Sequence, residues 1–336
     1  MKKVLVTGHK GYIGAHLVDL LKRQGHFVVG CDLNLFAGCE FDAITNPDVD
    51  LNKDFRALEP YELDGIDCIM HLAAISNDPM GDLNPQVTYK INREGTIDLA
   101  RKAKKAKVPL FLFASSCSIY GKGATLDIDE SGETTPLTPY AISKIAAEEA
   151  LKELSDNHFK TVSLRNATAY GYSPMLRIDL VVNNLLACAM TRGDIRMMSD
   201  GTPWRPLIHC RDIARAFTAF LATPPKTECL IVNVGGNQEN YQVKDVASLV
   251  QMKVPDTQVV FTGEVGADPR NYRVKFDLLK EVLPHFSLEY TLEAGIDQLH
   301  AHYLEKRFSL EDFEGNRYVR LRTLKQRLEK LEYAVS

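Results

Sequence analysis

The sequence lacks the features that would set it apart from ordinary globular proteins. Its 336 residues contain no long apolar run, no low-complexity tract and no internal repeat. The N-terminal stretch MKKVLVTG reaches a glycine after a few apolar residues, which is too short for a secretory core or a membrane span. The formal net charge is -4, so no basic surplus favours binding to nucleic acid or to an anionic membrane. We therefore expect neither partner.

The chain also lacks a CxxC pair, which would favour a zinc site or a redox dithiol. The cysteines are odd in number and widely spread, at positions 31, 39, 68, 117, 188, 210 and 229. This pattern predicts a reducing, cytoplasmic compartment and no bound metal.

What the sequence does contain is a regular alternation of short apolar runs and longer amphipathic stretches. The runs predict strands over 3–8, 26–32, 67–74, 109–116, 160–168 and 229–236. The stretches predict helices over 12–25, 91–107, 179–193 and 243–253. This order predicts an α/β fold with a Rossmann-type, doubly wound parallel sheet. After residue 170 the rhythm loosens, which predicts a smaller, interleaved C-terminal substrate lobe.

The stretch TGHKGYIG indicates a phosphate-binding loop. Gly8, Gly11 and Gly14 follow the first predicted strand and begin the first helix, where backbone N–H groups can hold a pyrophosphate. The next strand ends in Asp32, whose carboxylate can bind an adenosine ribose and would repel the 2′-phosphate of NADP. Lys10 indicates the opposite, because a cation there could meet that phosphate. We predict NAD as the cofactor.

A second motif lies in TPYAISKIAAEEALKEL. Thr138 can cap a helix, so that Tyr140 and Lys144, four residues apart, share one face near its N-terminal end. A nearby cation favours the phenolate and makes tyrosine a better base. Together with the glycine loop, this pair predicts acid–base chemistry.

These motifs identify a family when they are combined. TGxxGxxG at 7–14, HLAA at 71–74, SSCSIYG at 115–121, YAISK at 140–144 and WRPLIHCRDIARAF at 204–217 resemble the extended short-chain dehydrogenase/reductases, in particular the NAD-dependent nucleotide-sugar epimerase/dehydratase group. The resemblance covers about residues 1 to 300. It implies a domain that binds NAD over 1–170, with a returning segment near 207–236. It also implies a nucleotide-sugar lobe over 171–206 and 237–305. The charged, helix-prone tail over 306–336 lies outside the resemblance, and we expect it to be a solvated or interface helix.

The resemblance also implies roles for individual residues. The catalytic set would be Ser116, Tyr140 and Lys144, with Tyr140 taking a proton from a sugar hydroxyl while a hydride leaves for NAD. The residues implied in cofactor binding, besides Tyr140 and Lys144, are Gly8, Gly11, Tyr12, Ile13, Gly14, Asp32, Asp54, Leu72, Ala73, Ala74 and Asn92. The residues implied in substrate binding are Ser76, Ser116, Cys117, Ser118, Thr168, Asn183, Asn184, Arg205 and Arg270. The sequence departs from the family pattern at Lys53, Thr168 and Pro206.

Two positions of the SSCSIYG motif indicate which of the reactions known in the family this chain could catalyse. Family dehydratases carry an Asp-Glu pair where this chain has Cys117 and Ser118, and related decarboxylases carry a glutamate at the second position. We therefore predict an epimerase that recycles NAD, with a nucleotide-sugar oxidoreductase making net use of NAD(H) as the alternative. A dehydratase and a non-catalytic dinucleotide-binding scaffold are disfavoured.

The resemblance also implies a homodimer. Cys117 has no histidine neighbour in the sequence, so a nucleophilic role is not expected.

Overall fold

The strands and helices alternate along the chain as the sequence predicts. The computed structural model describes residues 1–76, 78–122, 127–197, 200–261 and 270–335. The strands in these residues are β1 (Lys3–Thr7), β2 (Phe27–Cys31), β3 (Val49–Leu51), β4 (Cys68–His71), β5 (Leu110–Ser116), β6 (Lys160–Asn166), β7 (Thr168–Tyr170), β8 (Asp194–Met197), β9 (Trp204–His209), β10 (Cys229–Val234), β11 (Asn240–Gln242) and β12 (Gln258–Phe261).

The helices complete the α/β pattern. They are α1 (Gly14–Arg23), α2 (Asp78–Gly81), α3 (Pro85–Thr88), α4 (Thr96–Lys105), α5 (Pro139–Leu154), α6 (Val181–Arg192), α7 (Cys210–Ala222), α8 (Val243–Lys253), α9 (Asp277–Val282), α10 (Leu292–Glu305), α11 (Leu310–Glu314) and α12 (Arg320–Val335). A π-helical segment, Tyr89–Gly95, joins α3 to α4, and short 3-10 turns occur at Phe55–Ala57, Pro60–Leu63 and Cys117–Tyr120.

The central sheet is parallel and doubly wound. Among the described residues it has seven strands in the order β10-β6-β5-β4-β1-β2-β3, and every neighbouring pair is parallel. The chain moves outward in one direction from β1 to β3 and in the other from β4 to β10, so the switch point lies between β1 and β4. Ligands bind at such a point in open α/β sheets, outside the carboxyl ends of the strands.

The two faces of the sheet are covered by different helices, because alternate side chains of a strand point to opposite faces. Val4 and Val6 pack with α1 and α7 in one core cluster. Leu5, between them, packs with α4 and α5 in another. A third cluster joins α6, α8 and α10 through Leu186, Val250 and Leu299, and the small sheets β11-β9-β7 and β12-β8 lie in this later half of the chain.

The structure confirms the predicted α/β fold and its parallel sheet, and it corrects two details. The sequence analysis missed β3, a three-residue edge strand whose residues are exposed or half-buried, which leaves no apolar run to detect. The helix predicted over 91–107 forms part of a longer helical segment that begins at Pro85. The strand β10, which lies within the run at 229–236, pairs with β6 in the central sheet.

Candidate active site

A large cavity of about 1040 Å³ opens at the carboxyl ends of β1, β4 and β5. It exceeds the size of an ordinary pocket for a drug-sized molecule. Two parts of its wall differ in kind. We call the wall formed by Gly8, Gly11, Gly14, Asp32 and Ala73 the glycine-loop part. We call the wall that contains Asn184, Arg205 and Arg270 the arginine part.

The glycine loop lies against the segment that follows β4. Gly8 has a φ of +75°, and a Cβ there would lie 2.7 Å from the backbone nitrogen of Ala73. A Cβ on Gly14, the first residue of α1, would overlap the carbonyl oxygen of Gly8. Both positions therefore require glycine. The tight loop brings backbone N–H groups and the start of α1 to the cavity wall, as binding of a dinucleotide diphosphate requires.

Asp32 lies at the cavity wall directly after β2. Its carboxylate accepts hydrogen bonds from the backbone N–H of Asn34 at 2.7 Å and of Lys10 at 3.2 Å. The Lys10 side chain pairs instead with Asp50, at 2.7 Å. The Lys10 side chain, the cation that could have favoured a 2′-phosphate, is therefore matched by a carboxylate, while Asp32 stays at the cavity wall.

Most of the other predicted cofactor residues also line the cavity, namely Tyr12, Ile13, Asp54, Leu72, Ala73 and Ala74. Asp54 caps the turn Phe55–Ala57 and pairs with Arg56 at 2.6 Å. Asn92 is an exception and corrects the prediction, because it is buried and lies behind the wall. Its amide binds both backbone groups of Ile75, at 2.8 and 3.0 Å, so it fixes the segment after β4 without reaching the cavity.

The predicted catalytic residues come together in the cavity wall. Ser116 ends β5, and Tyr140 and Lys144 lie on α5, whose first turn is capped by Thr138. Ser116 and Tyr140 both line the cavity, and the Ser116 hydroxyl accepts a hydrogen bond from the backbone N–H of Ser118 at 3.1 Å. The ammonium of Lys144 lies 5.6 Å from the centre of the Tyr140 ring and donates to the carbonyl of Ala114 at 2.7 Å. The spacing of four residues thus does place both side chains on one face of the helix.

Burial shifts the pKa values of this pair in opposite directions. It raises the pKa of Tyr140 to about 12, an effect that Asp78 increases and the Ser116 side chain partly offsets. It lowers the pKa of Lys144 to about 7, against the attraction of Glu148. Both shifts follow from desolvation, which disfavours the charged form of each group. Perturbed groups side by side in a cavity are typical of acid–base sites.

The structure also corrects the prediction that Cys117 binds substrate, because the Cys117 side chain belongs to the core. It is 1% exposed and donates from Sγ to the carbonyl of Arg165 at 3.1 Å, and burial raises its pKa. It is therefore placed neither to bind substrate nor to act as a thiolate. Its neighbour Ser118 does line the cavity, and its buried hydroxyl has no hydrogen-bond partner within the described ranges.

Most of the other predicted substrate residues line the cavity, and one of them is buried in the core. Ser76, Thr168, Asn184, Arg205 and Arg270 line the cavity. Asn183 does not line the cavity, and the prediction that it binds substrate is therefore corrected. It is fully buried, and its amide binds Gly171 and the carbonyl of Arg177. Because adjacent residues of a helix face different directions, only the second asparagine of the pair reaches the cavity.

The sequence analysis missed several charged residues at the cavity, among them Asp78, Arg177, Asp179 and Arg320. Asp78 on α2 pairs with Arg270 at 2.8 Å and accepts a hydrogen bond from Thr138. Arg177 forms two hydrogen bonds with Asp179, at 2.8 and 3.0 Å, and Arg320 enters from the C-terminal tail. Asp78 follows HLAA by only four residues, which was an available signal. Arg177, Asp179 and Arg320 lie in segments without a recognised motif.

The parallel sheet, the loop at its switch point and the tyrosine–lysine pair define a dinucleotide-dependent enzyme of the short-chain dehydrogenase/reductase type. The family model described as "NAD dependent epimerase/dehydratase family" matches residues 4–235. The chain therefore belongs to this family, and NAD is its cofactor.

Individual relatives are similar over most of their length. A Bacillus subtilis protein described as an uncharacterized UDP-glucose epimerase is 27% identical over 317 residues, which cover 88% of this chain and 95% of the relative. UDP-glucuronic acid decarboxylase 1 of Xenopus tropicalis is 26% identical, with 95% and 75% covered. Among solved structures, MoeE5 in complex with UDP-glucuronic acid and NAD has a TM-score of 0.78 at 26% identity, covering 90% of this chain and 99% of MoeE5.

Within the part of the chain that the structure describes, none of the helices combines the length and apolar character needed to cross a membrane.

Proposed function

We propose that the protein is a nucleotide-sugar epimerase that acts through a transient keto-sugar and recycles tightly bound NAD. One observation carries the proposal. The same cavity is lined by Ser116, Tyr140 and Lys144, by the glycine loop and by several arginines, and the Lys144 ammonium lies 5.6 Å from the centre of the Tyr140 ring. The cofactor that accepts the hydride and the nucleotide sugar could therefore both bind next to the phenol oxygen of Tyr140.

The glycine-loop part is suited to hold NAD. The backbone of Gly11, Tyr12 and Ile13 at the start of α1 would bind the diphosphate, and Asp32 would accept hydrogen bonds from the adenosine ribose. Asp54, Leu72, Ala73 and Ala74 would form the surrounding wall. When bound, NAD accepts a hydride from a sugar carbon and can return it to that carbon.

Tyr140 would take the hydroxyl proton from the sugar carbon that is oxidised. At neutral pH its phenol is protonated in the chain alone, because burial raises its pKa to about 12. It must therefore be activated by positive charge, which Lys144 provides when protonated. Lys144 would also bind the nicotinamide ribose, and the Ser116 hydroxyl would orient the reacting oxygen.

The arginine part is suited to hold the nucleotide diphosphate of the substrate. Arg205 and Arg270 would bind the phosphates, since a guanidinium makes two parallel hydrogen bonds to such groups. Asn184, Thr168 and Ser76 would contact the nucleotide and sugar. Ser118, whose buried hydroxyl has no partner among the described residues, would hydrogen-bond a sugar hydroxyl.

Epimerisation is favoured over dehydration by the groups next to Ser116. An elimination needs an additional acid and base at the neighbouring sugar carbons. Cys117 is turned into the core and Ser118 is a hydroxyl, so neither supplies a carboxyl group. The Bacillus subtilis relative is described as an epimerase, while the Xenopus tropicalis relative is a decarboxylase.

The test is to incubate the purified protein with a panel of nucleotide diphosphate sugars and to follow each by NMR and by absorbance of NADH. We expect an epimer to form from one sugar without net change in NADH. Stoichiometric NADH change would instead support the alternative, a keto-sugar reductase or nucleotide-sugar dehydrogenase. A deoxy keto-sugar product would contradict both.

Assembly and lobe boundaries belong to the same proposal. We propose a homodimer through the helices that include YAISK, with substrate held by the lobe over 171–206 and 237–305. Light scattering of the purified protein would give the mass of the assembly, and a monomer at micromolar concentration would contradict the dimer.

A further inference from the structure

The C-terminal tail reaches into the cavity, although it lies outside the residues that match the family model. The tail was expected to be a solvated or interface helix. Instead Arg320, the first residue of α12, is 3% exposed and lines the cavity together with Val319 and Leu321. A buried arginine costs free energy unless its charge and donors are matched.

The described residues match the donors of Arg320 only in part. Nη2 donates to the carbonyl of Met175 at 3.1 Å, and the guanidinium lies over the ring of Phe36 at 4.3 Å. Nη1 is buried and finds no acceptor in the described ranges of the chain. Burial and the neighbouring Arg177 lower the pKa of Arg320 to about 10, against the attraction of Asp179 and Asp32, so Arg320 stays charged at neutral pH.

A short chain of contacts places Arg320 beside the glycine loop. The carbonyl of Tyr12 accepts a hydrogen bond from Ser173 at 2.7 Å, and Ser173 accepts one from the backbone of Met175 at 3.1 Å. Met175 is the residue whose carbonyl binds Arg320. From the other side, Phe36 belongs to the segment that follows β2 and Asp32. Arg320 thus lies in the glycine-loop part and not in the arginine part.

The tail is held in this position by contacts on both sides of Arg320. The carbonyl of Tyr318 accepts a hydrogen bond from Ile178 at 3.0 Å. Arg317 donates to the carbonyl of Glu40, and Arg327 donates to the carbonyls of Leu35 and Ala37. The segment after β2 is therefore clamped by the tail, which fixes the position of the guanidinium.

We propose that Arg320 binds the diphosphate of NAD, so that the C-terminal tail completes the cofactor site. This inference rests on the proposed placement of NAD along the glycine loop, and it does not depend on the reaction. The diphosphate supplies what Nη1 lacks, a charged acceptor within a buried wall. Arg177, at the same wall, is already paired with Asp179, so Arg320 is the arginine with donor capacity to spare.

The test measures binding of NAD, ADP and adenosine to full-length Arg320→Gln by calorimetry. We expect NAD and ADP to bind about 10- to 100-fold more weakly than to the unchanged protein, with adenosine changed less than twofold. The matched control is Arg322→Gln on the same helix, whose guanidinium bonds Glu314 and Gly315 and does not line the cavity. It should bind all three ligands normally.

Three results would overturn the proposal. The first is an equal loss for adenosine and NAD, which would mean that the tail merely shapes the adenosine pocket. The second, from a parallel titration with NADP, is a larger loss of affinity for NADP than for NAD, which would place Arg320 at the 2′ position. The third is unchanged NAD binding with a raised KM for the nucleotide sugar. Arg320→Lys, checked for folding by circular dichroism, should keep part of the affinity for NAD. A protein that binds NAD through Arg320 but fails to epimerise any sugar would contradict only the proposed reaction.

Discussion

In the glycine-loop part of the cavity the wall is mainly backbone, whereas in the arginine part it consists of long side chains. The loop follows β1 directly, and its position is fixed by Gly8 packing on Ala73. Arg205 and Arg270 come from segments 65 residues apart, and Arg270 is held by Asp78 of a third segment. Backbone walls are specified by local sequence, while walls of long side chains depend on which distant partner each one meets.

This difference predicts that substitutions will separate into effects on the cofactor, on the substrate and on the chemistry between them. The largest effect is expected where the two parts meet. Tyr140→Phe should lower kcat by about 10²- to 10⁴-fold, because it removes the proton acceptor. NAD should still bind, since the loop is unchanged. Steady-state kinetics and NAD titration check this, and unchanged turnover would remove Tyr140 from the mechanism.

In the glycine-loop part, Gly14→Ala should weaken NAD binding about 100-fold. The new methyl group overlaps the carbonyl of Gly8, and the required shift of the loop costs about 3 kcal/mol. Gly25→Ala is the control, because its Cβ would meet nothing within 4 Å and only local strain at a positive φ would follow. If both variants bound NAD equally well, the backbone wall would not be the cofactor site.

In the arginine part, Arg270→Gln should raise KM for the nucleotide sugar about 10-fold, the value of one charge-assisted contact, and leave NAD binding unchanged. Asp78→Asn is the informative partner variant, because it removes the carboxylate that holds Arg270 without removing the arginine. A smaller rise in KM is expected for it. A loss of NAD affinity in Arg270→Gln would contradict the division of the cavity into two parts.

The burial of Lys144 should make the folding stability of the protein depend on pH. The pKa of about 7 in the folded chain lies below the ordinary value of 10.5, so the unfolded chain binds more protons between these pH values and the stability due to this group rises with pH. Lys144→Met lacks this dependence. In nucleotide-free protein it should raise Tm by roughly 2–4 °C at pH 7, and the difference should vanish toward pH 10.5. A variant less stable than the unchanged protein at pH 7 would contradict the shift.

The smallest effect is expected at Cys117. Cys117→Ser keeps a donor for the carbonyl of Arg165 and should change kcat by less than about twofold, since a contact outside the cavity contributes nothing to the transition state. A modest loss of thermal stability should accompany it. Abolished turnover would restore Cys117 as a functional residue.

The sequence determined those parts of the protein in which short-range spacing fixes geometry. The alternating runs predicted the parallel sheet. Gly8 and Gly14 predicted the loop, and the spacing of Tyr140 and Lys144 predicted their shared face of α5, because a helix turns by a fixed angle per residue.

The tertiary structure alone decided which side of each element faces the cavity. Cys117 and Asn183 each stand beside a residue that lines it, yet both are turned into the core. Arg177 and Arg320 reach the cavity from segments without a motif, through contacts with residues far away in the chain. Such contacts depend on the packing of the whole molecule, which local patterns do not encode.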